Sequence, residues 1–211
     1  MADNTSEAMV RAWSIQPWAV WAHVQANGEL TVNPHYSANL HHCYEWLRVQ
    51  LIRRIPGYHG HYPWWAYSTR PDLRQRRHHY PLGERYALLA LRLPRSQTLT
   101  FAFWAWDLIF YGRFLSYTAE ESQDWHQRLE QAVPNEEDLP ALPHPWLAEL
   151  ETSWERLFAP TLPAAGWWTP YAPPVSGSGL VFEVLHRANI YQVTSFLGAH
   201  PSAGARESRM V

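Results

Sequence analysis

The chain contains no lysine, and all 17 of its basic residues are arginine. That absence excludes chemistries built on an ε-amine, among them Schiff-base catalysis, a Ser-Lys dyad and a P-loop lysine. Cysteine is nearly absent as well. The single Cys43 allows no disulfide framework and no multi-cysteine zinc site within the chain, and its place on an apolar helical stripe marks it as core. No stretch approaches the roughly 18 apolar residues of a membrane span. The opening MADNTSEAMVRAW shows no basic region followed by an apolar one, so the expectation is a cytoplasmic protein without a membrane partner. Neither Gly-x-Ser-x-Gly nor a Gly-rich phosphate loop occurs, which removes the usual signatures of α/β-hydrolases and nucleotide cradles. The formal net charge of −2 gives no general attraction to nucleic acid.

Tryptophan, in contrast, is abundant, with 13 residues in 211. Large aromatics serve as core mass, stacking platforms or interface anchors. A 46 % hydrophobic and 17 % charged composition is globular. The length favours a single domain. It is expected over residues 10–198, after a disordered leader at 1–9 and before a flexible tail at 199–211, with a helical insertion at about 104–158.

Val10 to Gln16 reads as a first strand stopped by Pro17, followed by a helix carrying Trp18, Trp21 and Val24 up to Asn27-Gly28. Leu30 to Val32 adds a short extended piece. A helix over Ser37 to Ile55 carries Leu40, Cys43, Tyr44, Leu47, Leu51 and Ile55 on one stripe, with His41, Glu45, Arg48 and Gln50 off it. Trp64 to Ser68 reads as a strand and Arg70 to His79 as a basic loop. Arg85 to Leu93 is continuous and apolar, as a buried strand is, and a turn at Pro94 to Gln97 predicts a hairpin with Leu99 to Phe103. Thr118 and Glu121 form a capping box ahead of Trp125 and Leu129. Asn135 to Pro145 reads as a linker, and Trp146, Leu147, Leu150, Trp154 and Phe158 as another helical stripe, with Glu149, Glu151 and Glu155 on a solvated face. Thr161 to Ser178, carrying Trp167, Trp168 and Tyr171, reads as a loop folded over something. Two strands close the fold, Gly179 to His186 and Ile190 to Phe196. The expected class is α+β, with a split or strongly curved, mainly antiparallel sheet and flanking helices.

Glu183 is the residue that stands out. Alternation along its strand sets it between Val181 and Leu185, and a carboxylate on an apolar face costs free energy unless it is paired or used. An edge strand or an arginine partner would account for it; so would a role as the working carboxylate of a cleft. Arg70, Arg74, Arg76 and Arg77 offer planar donor forks suited to phosphate, or else a solvated basic loop. Trp64, Trp65 and Tyr67 stand just before them, and aromatics beside an arginine fork suit a flat base attached to phosphates, or one side of the strand is core. Alternation sends Trp64 and Trp65 to opposite faces. His59 and His61 could chelate from one face of a strand, the basis of a metal-assisted hydrolase reading, but no third ligand is fixed nearby and no metal is expected.

The ordered motifs W-S-I-Q, P-x-W-A-Y, R-P-D-L-R, L-x-L-x-L-P, F-x-x-W-D and V-F-E-V, from Ala12 to Phe196, resemble the bacterial family called domain of unknown function 3841. More distantly the chain is similar to ADP-ribosyltransferases, including DNA-directed toxins. These begin with a strand, helix and Gly, and end with a glutamate-bearing strand of the A-E-V-L type followed by I-x-x-I. Here Phe182-Glu183-Val184-Leu185 and Ile190 to Val193 take that place. The resemblance implies an ADP-ribosyltransferase-like fold and transfer from NAD to a nucleic acid or nucleotide. Glu183 would hold the ribose 2′-hydroxyl and steady the cation formed as nicotinamide leaves. Ser14 and Gln16 would line the nicotinamide pocket, Trp65 or Tyr67 would stack on the ring, and Arg70 or Arg74 would meet the pyrophosphate. The sequence departs from the pattern in having no His-Gly-Thr-like element after the first strand, and in carrying Gly179 or Val181 where a glutamine often precedes the transferase glutamate. The alternative is a non-catalytic module that binds a nucleotide or single-stranded nucleic acid on a Trp/Arg face.

Overall fold

The computed structural model describes residues 7–32, 38–133, 141–159 and 178–200. In chain order the elements are β1 (Met9–Pro17), α1 (Trp18–Asn27), β2 (Glu29–Thr31), α2 (Ala38–Arg54), β3 (Trp64–Tyr67), α3 (Leu73–Arg76), β4 (Arg85–Pro94), β5 (Leu99–Ala102), α4 (Phe103–Phe110), α5 (Ala119–Ala132), α6 (His144–Trp154), β6 (Ser178–Phe182), β7 (Val184–His186) and β8 (Ile190–Leu197). The class is α+β with a mostly antiparallel sheet and flanking helices. No helix among the described residues is long and apolar enough to cross a membrane. The chain divides into two compact units, one made of Met1–Val32, Pro63–Thr98 and Leu180–Val211, the other of Asn33–Tyr62 and Leu99–Gly179.

In the first unit the strands run in the order β6-β3-β1-β4-β8, and β2 and β7 form a separate two-stranded ribbon. β4 is an inner strand: it pairs along its length with β1, from Met9↔Pro94 to Pro17↔Tyr86, and on its other edge with β8. Every residue from Tyr86 to Leu91 is buried, which is why the sequence there lacks a polar face. Because both edges of β4 are taken, the hairpin expected with Leu99 to Phe103 does not form. A 3-10 turn at Arg95–Gln97 leads out of β4 instead, and β5 lies beside β6, whose first two residues belong like β5 to the second unit.

One face of this sheet, with Ala12, Trp64, Ala66, Ala87, Leu89, Leu91, Leu180 and Phe182, packs with Trp21 and Val24 of α1 and Leu185 of β7. Burying a large apolar side chain contributes about 1.5–3 kcal/mol, so α1 and the ribbon are held by the face they cover. Pro17 precedes the first helical residue, where its missing N–H costs no hydrogen bond. Gly28 ends α1 at φ 87°, a conformation that favours glycine, and its N–H donates to Val24 O at 2.9 Å. The expected single strand over Gly179 to His186 is in fact two. β6 joins the main sheet and β7 pairs with β2, so the chain bends between them, at Glu183.

The second unit holds α2, α4, α5 and α6. Its core includes Cys43, Leu47 and Leu51 of α2, Ala105 and Ile109 of α4, Trp125 and Leu129 of α5, and Leu150 and Trp154 of α6. Trp125 stacks on Phe114 at 4.8 Å between centroids, and Trp46 meets Trp154 edge-on at 5.4 Å. Thr118 caps α5 by accepting from Glu121 N at 3.2 Å, and the Glu121 carboxylate reaches back to Tyr117 N at 2.7 Å. Two expectations are corrected. Gln50, expected off the buried stripe of α2, is 3 % exposed, because α2 is covered over more than one narrow stripe, with Trp46 buried beside it. Glu149 and Glu151 are not simply solvated: Glu149 pairs with Arg128 at 2.8 Å and Glu151 stands 2.9 Å from His42 Nε2. Most of the linker expected at Asn135 to Pro145 and the loop Thr161 to Ser178 lie outside the described residues.

Among the described residues, tryptophan serves first as core. Trp21, Trp46, Trp64, Trp106, Trp125 and Trp154 are all buried, whereas Trp13, Trp18, Trp65, Trp104 and Trp146 are half-buried.

Candidate functional site

The seven residues of the NAD reading, Ser14, Gln16, Trp65, Tyr67, Arg70, Arg74 and Glu183, belong to the first unit, and His59 and His61 to the second. On β1, alternation puts Ala12, Ser14 and Gln16 on the face that α1 and the ribbon cover. Ser14 is 1 % exposed. Its hydroxyl donates to the carbonyl of Trp65 at 2.7 Å and accepts from Gln16 Nε2 at 2.8 Å. A serine has one proton to give, and it goes to Trp65 O, so Gln16 must present its NH2 to Ser14. The relay therefore fixes the Gln16 amide and turns its Oε1, an acceptor, away from Ser14. Ser14 is a fastener between β1 and β3 that orients Gln16.

Glu183 is half-buried at the bend between β6 and β7. A series of neighbours links it to the Gln16 end of β1. Trp13 lies opposite Tyr67, and Ser14, which Gln16 reaches, meets the carbonyl of Trp65, the residue after Trp64. The Trp64 indole N–H donates to Leu30 O at 3.0 Å. Leu30 pairs with Leu185, and Thr31 with Val184, the residue after Glu183. The parting of the ribbon from the sheet thus occurs at the end of β1 where Gln16 lies.

Trp65 and Tyr67 occupy the opposite face. With Trp13 they form a half-buried aromatic row, and the Arg76 guanidinium stands 5.2 Å from the centre of the Tyr67 ring. Burial pushes the Tyr80 hydroxyl above the ordinary tyrosine range, with its hydrogen-bonded neighbour Tyr67 adding to the shift and Arg76 opposing it. Tyr80 in turn packs on Tyr86, and Tyr86 on Phe196. The structure therefore brings Ser14 and Gln16 together, and separately Trp65 and Tyr67, on two sides of one sheet.

The segment Arg70 to His79, expected as a loop, is ordered into a helical turn. Asp72 caps α3 by accepting from Arg74 N at 2.9 Å, and a 3-10 turn follows at Arg77–His79. Arg74 folds back on Asp72 at 2.8 Å, its side chain 92 % exposed. That guanidinium and the Arg74 N–H hold the Asp72 carboxyl below its usual range. Arg70 is exposed. Arg76, named in the basic segment, was not assigned to the Tyr67 ring, and sequence reasoning passed over Tyr80 and Trp13. Trp13 alternates with Ser14, so its face was readable, but its pairing with Tyr67 needed the register. His59 and His61 are exposed, and among the described residues no group of three or more His, Cys, Asp or Glu could hold a metal ion.

The sequence model of a family described as Domain of unknown function (DUF3841) matches residues 11–166, and the chain belongs to that family. No curated protein and no solved structure matches it.

Proposed function

We propose that this family member binds NAD and transfers its ADP-ribose, with nucleic acid or a nucleotide as acceptor and Glu183 as the working carboxylate. The observation that carries the reading is the position of Glu183, half-buried at the bend where β7 leaves β6, at the end of β1 that presents Gln16. The order of strand, helix and Gly28 at the start, and of a glutamate-bearing strand before β8 at the end, accords with the resemblance to ADP-ribosyltransferases.

In this reading the Gln16 Oε1 accepts from the NH2 of the nicotinamide carboxamide. The bond from C1′ to the nicotinamide nitrogen breaks with both electrons going to the ring, which leaves neutral. Positive charge develops on the ribose, and the Glu183 carboxylate, bonded to the 2′-hydroxyl, stabilises it. The acceptor nucleophile then donates a pair to C1′ and loses its proton to solvent. Glu183→Gln should lower nicotinamide release from labelled NAD by a factor of about 100 or more while the melting temperature holds. Undiminished release by that variant would remove Glu183 from the chemistry.

A second reading, non-catalytic binding of a nucleotide or single strand, is favoured by Arg76 over Tyr67 on the face with Trp13 and Trp65. In that case single-stranded nucleic acid quenches tryptophan fluorescence with a strong salt dependence, and Glu183→Gln changes nothing.

A further inference from the structure

The second unit carries a groove unrelated to Glu183. It has a volume of about 420 Å³ and is walled by one stripe of α2, with His42, Glu45, Trp46, Gln50 and Arg53, and one stripe of α6 and the turn after it, with Glu151 and Glu155. That volume is within the range of small-molecule sites. The two helices run alongside in the same direction, since His42 meets Glu151, Trp46 meets Trp154, and Arg54 lies over Phe158. The groove therefore has distinct ends.

At one end stand carboxylates. Glu45 is already held by Arg48 and by the Tyr62 hydroxyl. Glu151 Oε1 is 2.9 Å from His42 Nε2, yet that nitrogen makes no aligned hydrogen bond, so the contact leaves the carboxylate open to a better donor. At the other end stand donors, with Glu155, one turn past Glu151, on the way to them. Gln50 is 3 % exposed, and its Oε1 accepts from Arg54 Nη1. A guanidinium can only donate, so the orientation of the amide is fixed and its NH2 is the group left over. That NH2 has no acceptor among the described residues, so it can donate to a molecule in the groove. Arg53, exposed and one turn on, adds positive charge at the same end. Trp46, 7 % exposed, lines the groove between the two ends.

We propose that this groove binds a basic amino acid, its carboxylate held by Arg53 and Gln50 and its side-chain cation by Glu151. Glu45 and Gln50 are separated by about 8 Å along the helix axis, the reach of an extended basic amino acid from carboxylate to cation. Three carboxylates against one arginine in the lining favour a ligand of net positive charge. A free amino acid and the C-terminal residue of a peptide share this chemistry.

Calorimetry on the full chain at low salt, with L-arginine, citrulline, agmatine and the dipeptide Gly-Arg, tests the proposal. Citrulline lacks the cation and agmatine the carboxylate, so each is expected to bind at least about tenfold more weakly than arginine. Glu151→Gln should erase the preference over citrulline, and Arg53→Gln the preference over agmatine; both sites are at the surface and the melting temperature serves as control. Gly-Arg binding in place of free arginine supports the same site with a chain terminus as its source. Equal affinity for all four probes, no binding by any, or preferences that survive both substitutions overturn the proposal.

Discussion

The Ser14 hydroxyl donates to the Trp65 carbonyl at 2.7 Å across the β1–β3 boundary, and the same oxygen accepts from Gln16. Removing it strands a backbone acceptor at a site where the side chain is 1 % exposed. Ser14→Ala is expected to cost about 1–3 kcal/mol of stability, read from denaturant midpoints, and to free the Gln16 amide to rotate. If the proposed NAD site is right, its KM for NAD rises more than kcat falls, because Glu183 is untouched.

Gly198 is required by space. A β-carbon there would stand 1.9 Å from the carbonyl oxygen of Pro81 and 2.7 Å from that of Tyr80, backbone atoms that cannot swing aside. Residues 198–200 fasten the arginine-bearing segment through Gly198 N to Glu84 O, Ala199 N to Arg77 O and His200 N to Tyr80 O. Gly198→Ala should lower the melting temperature by several degrees and speed hydrogen exchange at Leu82 and Gly83, whose amides bond to His200 and Gly198. Unchanged exchange there would show that the fastening is dispensable.

Glu121 links α5 to the turn after α6 through Arg156 at 2.7 Å. Burial works to raise its pKa, but Arg156, Tyr117 N and Thr118 N outweigh it and hold the carboxyl below the usual range. A folded value lower than the unfolded one contributes stability above the unfolded pKa, and that contribution is lost as pH falls through the folded value. Glu121→Gln should therefore destabilise at pH 7, by under about 1 kcal/mol because the pair is partly solvated. The gap from wild type should close below about pH 4. A gap that persists at pH 3 would mean that charge is not its origin.

The Cys43 thiol is fully buried and donates to Ile109 O at 3.1 Å. Burial pushes its pKa up to about 12, so almost no thiolate is present near neutrality. Iodoacetamide at pH 8 should leave the native protein unmodified and label it only as denaturant unfolds it. Rapid labelling of the folded chain would contradict this placement.

Much of the fold was legible because local chemistry decides it. Pro17 and Gly28 bracket α1, Thr118 starts α5, and the unbroken apolar run of β4 announced a strand buried on both faces. What escaped was pairing, which no local pattern encodes. The Arg95–Gln97 turn looked like a hairpin because both edges of β4 being occupied cannot be seen from residues 85–103. Glu183 was noticed for its apolar neighbours, yet the bend there arises from β7 pairing with β2, a contact about 150 residues away. Alternation gave the faces of Trp64 and Trp65, but only the register joined Tyr67 to Trp13. Arg74, chosen for phosphate, is drawn back by Asp72 two residues away, while Arg76, two residues further along the backbone, reaches Tyr67.

The most direct measurement is a crystal structure of the Glu183→Gln variant soaked with NAD. The account predicts the nicotinamide carboxamide nitrogen at about 3 Å from Gln16 Oε1, with the ribose 2′-hydroxyl beside position 183. A dinucleotide lying instead across Trp65, Tyr67 and Arg76, with position 183 untouched, would contradict it.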